Sequence, residues 1–182
     1  MAGTLSQAAC SDQLLDSTTW TYDSSDGWTN MTASLKSTPP SRRNHQMATL
    51  NDKGSVLLFG GSGCPLSNGA TLQNDTWIWT ERLPAIKGVW EKVEHLSSQM
   101  NPRQYHAMAN IGNNRVVMFG GVVNSKEDVT EDELAEGTFE FIYDYDKRTG
   151  SWVDLNIAAE PQRRVGHAMA TLHNGETMFA LL

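Results

Sequence analysis

Two kinds of side chain recur in this sequence at a spacing that could support chemistry, histidine and arginine. His45, His106 and His167 stand 61 residues apart, and an arginine lies three positions before each of them. Those arginines are Arg42, Arg103 and Arg164. Imidazole nitrogens bind transition metals, and guanidinium groups bind carboxylates through paired hydrogen bonds. The repeated residues therefore raise two hypotheses, a metal centre and an anion-binding ring.

The metal hypothesis is weakened by the repetition itself. Equivalent residues of successive repeats lie in separate copies of one local environment, so they do not converge on a shared ion. The sequence also contains no H-E-x-x-H motif and no pair of cysteines at zinc-site spacing. We therefore interpret the three histidines as structural, and we predict neither a metal site nor a cofactor.

One repeat can be read as four short strands that would hold these side chains in place. The strands are predicted at 45–50, 55–61, 74–80 and 88–93. A glycine-bearing turn joins the first two, which is typical of a tight hairpin. Gly60 and Gly61 end the second strand, where the chain must turn sharply beside its neighbours. Four short antiparallel strands of this kind are typical of one blade of a β-propeller.

The same pattern is predicted elsewhere along the chain. A second blade is expected at 106–111, 115–121, 138–146 and 151–155, with Gly120 and Gly121 closing its second strand. The third copy provides only a first and a second strand, at 167–172 and 176–182. Residues 18–31 read as the third and fourth strands of an earlier blade. Trp28, Trp90 and Trp152 occupy the same place in their blades, and we predict that they pack between blades.

These features resemble the kelch repeat, in which Arg and His precede the first strand, Gly-Gly follows the second, and an aromatic residue and a Trp come later. The matching residues are Gly60–Gly61 with Trp79 and Trp90, and Gly120–Gly121 with Tyr145 and Trp152. The resemblance covers residues 18–182 and implies an all-β fold, a kelch-type β-propeller segment of four-stranded antiparallel blades. It also implies a non-catalytic platform or adaptor that binds a protein or peptide ligand.

The segments follow from this reading. We predict a poorly structured segment at 1–17, a half blade at 18–39, full blades at 40–100 and 101–160, and a truncated half blade at 161–182. The two half blades are complementary, so two copies could pair them into a six-bladed ring, which would be self-association. Alternatively, the chain is a fragment of a longer propeller. We expect the fragment, because Ala180-Leu181-Leu182 replaces the expected glycine turn after Phe179 and leaves an apolar terminus.

An enzyme is the rival hypothesis. Kelch propellers include a copper radical oxidase and sugar-isomerising enzymes, so the resemblance leaves open a sugar-modifying enzyme or oxidoreductase whose catalytic residues lie outside this segment. Within the segment we predict no catalytic residue. A copper site would need clustered Tyr, His and Cys, whereas Cys64 follows the glycine pair without partners placed by any motif. No G-x-S-x-G motif or glycine-rich phosphate loop occurs either.

The three arginines are the predicted binding residues. Because strands alternate in direction, the loops 62–73 and 122–137 rise from the face on which the arginines lie. In kelch adaptors that capture acidic degron peptides, some arginines at the matching place bind the ligand. The alternative is that each arginine pairs with a neighbouring carboxylate or with carbonyl groups between blades, and its presence in every repeat favours this alternative. The loop 122–137 would also repel an acidic ligand through Glu127, Asp128, Glu131, Asp132, Glu133 and Glu136.

Composition excludes several classes of partner. The net charge of −7 argues against a nucleic-acid-binding surface. The first residues lack the basic and apolar regions of a signal peptide, and no apolar run is long enough to span a membrane. We therefore predict no nucleic acid partner, no membrane contact and a cytoplasmic location.

Overall fold

The structure, a computed structural model, describes residues 17–51, 54–63, 71–82, 86–95, 100–124, 130–172 and 178–181. Within these ranges the chain forms fifteen β-strands and two single-turn 3₁₀ helices, at Thr32–Ser34 and Glu131–Glu133. The prediction of an all-β fold is confirmed. The predicted segment 1–17 lies outside the described residues apart from Ser17, as do Cys64, Glu127 and Asp128.

The chain begins with a hairpin and continues into a full blade. The hairpin consists of β1 (Trp20–Asp23) and β2 (Gly27–Asn30). Blade one contains β3 (Gln46–Asn51), β4 (Ser55–Phe59), β7 (Thr76–Arg82) and β8 (Ile86–Lys92), in that order across an antiparallel sheet. The short strands β5 (Ser62–Gly63) and β6 (Thr71–Leu72) form a separate ladder between β4 and β7.

Blade two repeats this arrangement. It contains β10 (Ala107–Asn110), β11 (Arg115–Phe119), β12 (Thr138–Asp144) and β13 (Thr149–Asp154). The strand β9 (Glu94–His95), which follows blade one, pairs in parallel with the outer edge of β13. A last hairpin, β14 (Ala168–Thr171) and β15 (Met178–Leu181), supplies the first two strands of the next unit.

The main hydrophobic core lies between blade one and blade two. Alternate residues of a strand point to opposite faces, so Leu57 and Phe59 of β4 enter this core. Leu58 joins a smaller cluster between blade one and the first hairpin, with Trp77, Trp79 and Trp90. Blade one is therefore buried on both faces, which explains the continuous apolar run in β4. Each fully buried aliphatic or aromatic side chain contributes about 2 kcal/mol to folding.

The strand register corrects two expectations from the sequence. The ring opposite Trp90 is Trp79, but the ring opposite Trp152 is Phe141, so the match of Trp79 with Tyr145 was wrong. In the last hairpin, Leu181 pairs with Ala168 as Phe119 pairs with Ala107. The place of the glycine pair therefore falls after Leu181 and not at Ala180-Leu181. Leu182 therefore stands in the sequence where Gly60 and Gly120 stand in the two full blades, and the expectation of a fragment stays a prediction.

Candidate binding face

The glycine pairs join one blade to the next. The backbone N–H of Gly61 donates to the carbonyl oxygen of Arg103 at 2.8 Å. Gly60 has a φ of +67°, and a Cβ atom there would lie 2.6 Å from the same carbonyl oxygen. Gly120, Gly121 and Arg164 repeat these contacts at the following junction. Glycine is required at these places because the backbone of the next blade approaches too closely for any side chain.

The repeated histidines pack across the same junctions. The ring of His106 lies 5.6 Å from that of Phe59, and the ring of His167 lies 5.7 Å from that of Phe119. His106 is fully buried, and neither ring nitrogen has a hydrogen-bond partner. Burial, and then the charge of Arg103, lowers the pKa of His106 to about 3, so this ring is neutral at physiological pH. Among the described residues, no three His, Cys, Asp or Glu side chains come together as a metal site.

The repeated tryptophans differ in their surroundings. The indole N–H of Trp90 donates to the hydroxyl of Thr19 at 3.0 Å, and that of Trp152 donates to the hydroxyl of Thr76 at 3.1 Å. Both rings are buried, and each bonds to the start of the third strand in the preceding blade. Trp28 has the same place in its hairpin but is 68% exposed, so its predicted packing between blades is absent from the described part of the chain.

Arg42 is held inside blade one. Its two terminal nitrogens donate to the carboxylate oxygens of Asp75 at 2.6 and 2.8 Å, and one of them also donates to the Gly60 carbonyl. Trp77 donates to the same carboxylate. Burial raises the pKa of Asp75, but the hydrogen bonds from Arg42 and Trp77 outweigh it and hold the pKa below its usual value. Arg42 therefore presents no free guanidinium to a partner, and its contacts favour the structural alternative.

Arg103 and Arg164 differ from Arg42. Arg103 is buried, donates through one terminal nitrogen to the Gly120 carbonyl at 3.2 Å, and lies 4.9 Å from the centre of the Phe139 ring. Arg164 is half-buried and donates through its Nε to the Gln162 carbonyl at 2.8 Å. Neither arginine forms an ion pair with a described carboxylate. Of the three predicted binding residues, Arg42 and Arg103 are buried and only Arg164 is partly exposed.

We define the loop face by the residues before each first strand (42–45, 103–106 and 164–167) and by the loops after each second strand. Short bridges join the two sets, between Arg43 and Ser62 and between Gln104 and Val122. The predicted co-location of arginines and loops therefore agrees with the structure. Tyr105, Val123 and Val165 are large apolar residues that remain exposed here.

Tyr105 is a candidate residue that the sequence reading missed. It has a φ of +57° and is 43% exposed. Its neighbours in the adjacent repeats, Asn44 and Gly166, have the same left-handed conformation, which Asn and Gly tolerate easily. Backbone bonds of 3.1 Å from Tyr105 to Asn44 and from Gly166 to Tyr105 hold the three in a row. A bulky residue in this conformation costs roughly 1–3 kcal/mol, and such strain is typical of functional sites.

A cavity of about 760 Å³ opens between blade two and the segment that leads to β14. Arg103, Phe139 and Leu134 line one side, and Ile157, Glu160 and Arg163 line the other. Part of the acidic insert is used internally, because Glu136 forms a salt bridge with Arg163 and Glu133 accepts a hydrogen bond from the Thr130 N–H. The insert is therefore a structured wall of the cavity at residues 130–137.

Comparison with known proteins agrees with this architecture. The family model described as "KLHDC2/KLHL20/DRC7 Kelch-repeats domain" matches residues 5–181. "Adagio-like protein 1" of Oryza sativa subsp. japonica is 28% identical over 137 residues, which are 75% of this chain and 19% of that protein. "tRNA wybutosine-synthesizing protein 2/3/4" of Arabidopsis thaliana is 30% identical over 92 residues, which are 50% of this chain and 8% of that protein. The chain thus spans a small part of each relative.

Two solved structures share the fold. A fungal alcohol oxidase of the AA5 family, in complex with copper, superposes with a TM-score of 0.58 and 11% identity, over 85% of this chain and 29% of that one. The structure of YjhT superposes with a TM-score of 0.52 and 14% identity, over 87% of this chain and 64% of that one. At these identities the likeness concerns the fold alone. Among the described residues, no helix combines the length and apolar character needed to cross a membrane.

Proposed function

Because the chain belongs to the kelch-repeat family, whose domains generally bind protein partners, we propose that it is a non-catalytic protein-binding platform that uses the loop face. The observation that carries this proposal is Tyr105. Its ring is exposed while its backbone is held in a conformation that tyrosine disfavours. Exposed tyrosine is enriched at protein interfaces because one ring offers both apolar area and a hydroxyl group.

The neighbours of Tyr105 support a peptide or protein partner of mixed character. Val123 and Val165 add apolar surface, and Arg43 and Arg164 add positive charge at the same face. An interface of this kind has an apolar centre and a charged rim. We infer that the partner presents an apolar side chain toward Tyr105 and a carboxylate toward the arginines.

Substitution of Tyr105 tests the proposal. Tyr105→Gly removes the ring and relieves the left-handed strain, so the fold is expected to be at least as stable as the wild type. Peptides selected from a displayed random library against the wild-type chain are expected to lose at least tenfold in affinity for this variant. The matched control is Ile142→Ala, since Ile142 is 44% exposed on β12 and lies outside the loop face. Equal losses in both variants, or no loss in Tyr105→Gly, would contradict the proposal.

The enzyme hypothesis concerns a longer protein. This chain corresponds to 19% of the length of the Adagio-like relative, so an activity of a complete protein can reside elsewhere. A reading frame with clustered Tyr, Cys and His outside this segment would favour an enzyme. A flanking dimerisation or ligase-recruiting domain would favour an adaptor.

Self-association that completes the propeller stays a prediction. The first hairpin exposes Trp20, Tyr22 and Trp28, and the last hairpin leaves the outer edge of β15 unpaired among the described strands. Light scattering on the purified chain distinguishes the alternatives. A monodisperse dimer with a sharp melting transition would favour pairing of the half blades, and aggregates would favour a fragment.

A further inference from the structure

Two strand edges of the described sheets lack the neighbour that the full blades provide. In both full blades the second strand pairs with the third, as β4 pairs with β7 and β11 pairs with β12. Among the described strands, β15 pairs only with β14, and β1 pairs only with β2. The last hairpin therefore lacks a third strand, and the first hairpin lacks a second strand.

A repeated backbone bond fixes the place of the first hairpin within a blade. The Leu155 N–H donates to the Thr138 carbonyl oxygen at 2.9 Å in blade two, and blade one has the same bond. In the first hairpin, the Met31 N–H donates to the Thr19 carbonyl oxygen at 2.8 Å. The strands β1 and β2 therefore stand in the positions of a third and a fourth strand, with Thr19 in the place of Thr138.

The register of the full blades predicts how β15 and β1 would pair. In blade two, Phe119 of the second strand pairs with Thr138 of the third. Leu181 has the place of Phe119 in the last hairpin, and Thr19 has the place of Thr138 in the first. An antiparallel ladder in the same register pairs Leu181 with Thr19, and the two hairpins together would form one complete blade.

A cavity of about 720 Å³ lies between the first hairpin and blade one, and we call it the β1 groove. Thr19 and Thr21 line one side, and Met47 and Thr49 of β3 line the other. Met47 is 47% exposed, whereas Met108, at the same place in blade two, is 5% exposed within the main core. Blade one covers Met108, but no described first or second strand covers Met47. The β1 groove is thus the place where such strands would lie.

The inner strands of neighbouring units are joined by a hydrogen bond that the β1 groove can repeat. The hydroxyl of Thr171 in β14 donates to the Asn110 carbonyl oxygen of β10 at 2.9 Å. Thr49 has the place of Thr171 in blade one, since both residues close the sequence Met-Ala-Thr. Thr49 is exposed and lines the groove. Its hydroxyl would donate in the same way to the Thr171 carbonyl oxygen of a hairpin that fills the groove.

The other face of the first hairpin is complementary to blade two. The Trp152 indole donates to the Thr76 hydroxyl, and Trp28 has the place of Trp152 in the first hairpin. Thr138 has the place of Thr76, and no described tryptophan donates to it. The last hairpin already packs against blade two through His167. In a blade built from the last hairpin of one copy and the first hairpin of another, Trp28 of one copy would lie beside Thr138 of the other.

We propose that the β1 groove is a docking site for the last hairpin of a second copy of this chain, and that two copies close into one ring. Each copy contributes two full blades and half of each shared blade, so the ring has six blades, within the range of about four to eight found in propellers. One copy closed on itself, or three copies together, would fall outside this range. The contacts favour pairing over the fragment that the sequence alone suggests. The inference concerns surfaces other than the loop face and does not depend on the function proposed there.

The closed ring satisfies both free edges at once. Each copy gives its last hairpin to the other, so the two joints are identical and related by a twofold axis. An edge of unpaired N–H and C=O groups is a template for association with other strands. This arrangement leaves neither β1 nor β15 unpaired.

A disulfide in the predicted register tests the docking site. The register places Ala180 of one copy opposite Trp20 of the other, and the Cα atoms of such a pair lie about 4.5–5.5 Å apart, which suits a disulfide. The background carries Cys10→Ser and Cys64→Ser. In this background, Trp20→Cys combined with Ala180→Cys is expected to give a covalent dimer on oxidation, which dithiothreitol returns to single chains.

The matched control lies one residue out of register. Thr21→Cys combined with Ala180→Cys places the two thiols on opposite faces of the sheet, so at least tenfold less covalent dimer is expected. Equal yields from the two pairs, an internal disulfide within single chains, or no disulfide in the first pair would overturn the proposal.

Sedimentation of the unaltered chain provides a measurement that needs no variant. We expect a two-copy particle whose size stays constant as the concentration rises and which dissociates on dilution. A single chain at every concentration, or a particle that keeps growing with concentration, would overturn the closed ring.

Three variants separate the β1 groove from the loop face. At chain concentrations too low for pairing, Trp28 is exposed, so Trp28→Ala and Thr138→Val should both leave the fold unchanged. We expect Trp28→Ala to raise the dissociation constant of the two-copy particle at least tenfold and Thr138→Val to raise it less, with peptide binding at the loop face retained in both. Tyr105→Gly should retain pairing and lose peptide binding. An unchanged dissociation constant in Trp28→Ala would overturn the inference, whereas retained peptide binding in Tyr105→Gly would contradict only the proposed function.

Discussion

The aromatic pairs Phe141–Trp152 and Tyr22–Trp28 have the same geometry and opposite surroundings. Their ring centres are 5.1 and 5.3 Å apart, with interplanar angles of 52° and 58°. In blade two the rings are 0% and 6% exposed, and in the first hairpin they are 63% and 68% exposed. The register within one hairpin is therefore sufficient to form the pair. Burial of the pair depends on the preceding blade.

The same contrast separates the inner strands. β10 of blade two is almost entirely buried, whereas the equivalent β14 of the last hairpin is largely exposed. Both strands begin with the sequence Ala-Met-Ala, so their local preferences are equal. The stability of this fold consequently resides in the junctions between blades, as in other repeat proteins. Four predictions test this conclusion, beginning with the largest effect.

Removal of an indole ring is expected to lower the free energy of unfolding only where a neighbouring blade covers the ring. Trp152→Ala should lower the free energy of unfolding by about 3–5 kcal/mol, because it leaves a cavity in the main core. Trp28→Ala should change it by less than about 0.5 kcal/mol, since the ring is exposed. Urea unfolding followed by circular dichroism measures both. Similar losses in the two variants would contradict the role assigned to the junctions.

Substitutions at the repeated arginine sites should also cost more stability where the arginine is buried than where it is partly exposed. Asp75→Asn leaves the buried Arg42 without its anion and is expected to cost roughly 3 kcal/mol. Arg164→Ala removes a half-buried side chain at the last junction and should cost less than about 1 kcal/mol. Thermal melting of the two variants at one pH and ionic strength gives the comparison. A stable Asp75→Asn chain would show that Arg42 has a second partner.

Acid should weaken the junction between blade one and blade two, because it protonates His106 in the unfolded chain. The pKa of this buried ring is lowered from 6.5 to about 3, so the unfolded chain binds its proton first as the pH falls. Its contribution is complete above about pH 6.5 and decreases toward pH 3, by about 1–2 kcal/mol between pH 7 and pH 5. His106→Leu should reduce this pH dependence in urea titrations. His167→Leu, at the more exposed junction, is the control and should reduce it less.

The smallest expected effect concerns a single hydrogen bond. Thr76→Val removes the acceptor of the Trp152 indole N–H and should cost about 1 kcal/mol. Thr138 is the equivalent residue at the start of β12 in blade two, and no described tryptophan donates to its hydroxyl group. Thr138→Val is therefore expected to be neutral in the same unfolding assay. A cost in Thr138→Val equal to that in Thr76→Val would indicate that the hydroxyl groups act within their own blade.

The repeat made the strands and the glycine pairs predictable from the sequence. Alternating apolar residues, tight turns and Gly-Gly are local signals, and they located both full blades. The exposure of Trp28 was not predictable, because its local sequence does not indicate whether a neighbouring blade covers the ring. The match of Tyr145 with Trp79 failed for another reason. Both are aromatic residues near the end of a third strand, and only the pairing across to Trp152 identifies Phe141 as the equivalent.

The candidate site was predictable only in part. The sequence placed the arginines and the loops on one face, but it could not distinguish a neutralised arginine from an unpaired one. That distinction depends on which residue precedes the third strand. The pairing of Phe59 with Thr76 and of Phe119 with Thr138 makes Asp75 of blade one equivalent to Gly137 of blade two. Tyr105 escaped notice because its importance lies in a backbone angle. Its alignment with Asn44 and Gly166 was the available signal.

The blade junction has a direction. At the junction between blade one and blade two, the later blade contributes the tryptophan and the histidine, and the earlier blade contributes the threonine and the glycine pair. The junction before it repeats the tryptophan–threonine bond, and the junction after it repeats the histidine–glycine contact, each in the same direction. Each blade therefore has two different faces. We call the face with the tryptophan and the histidine the head, and the face with the threonine and the glycine pair the tail. Two exposed heads such as Trp28 cannot complete each other, because neither offers a threonine and a glycine pair. Any assembly of these units must proceed head to tail, which permits a closed ring or an open-ended filament and excludes a face-to-face dimer of heads.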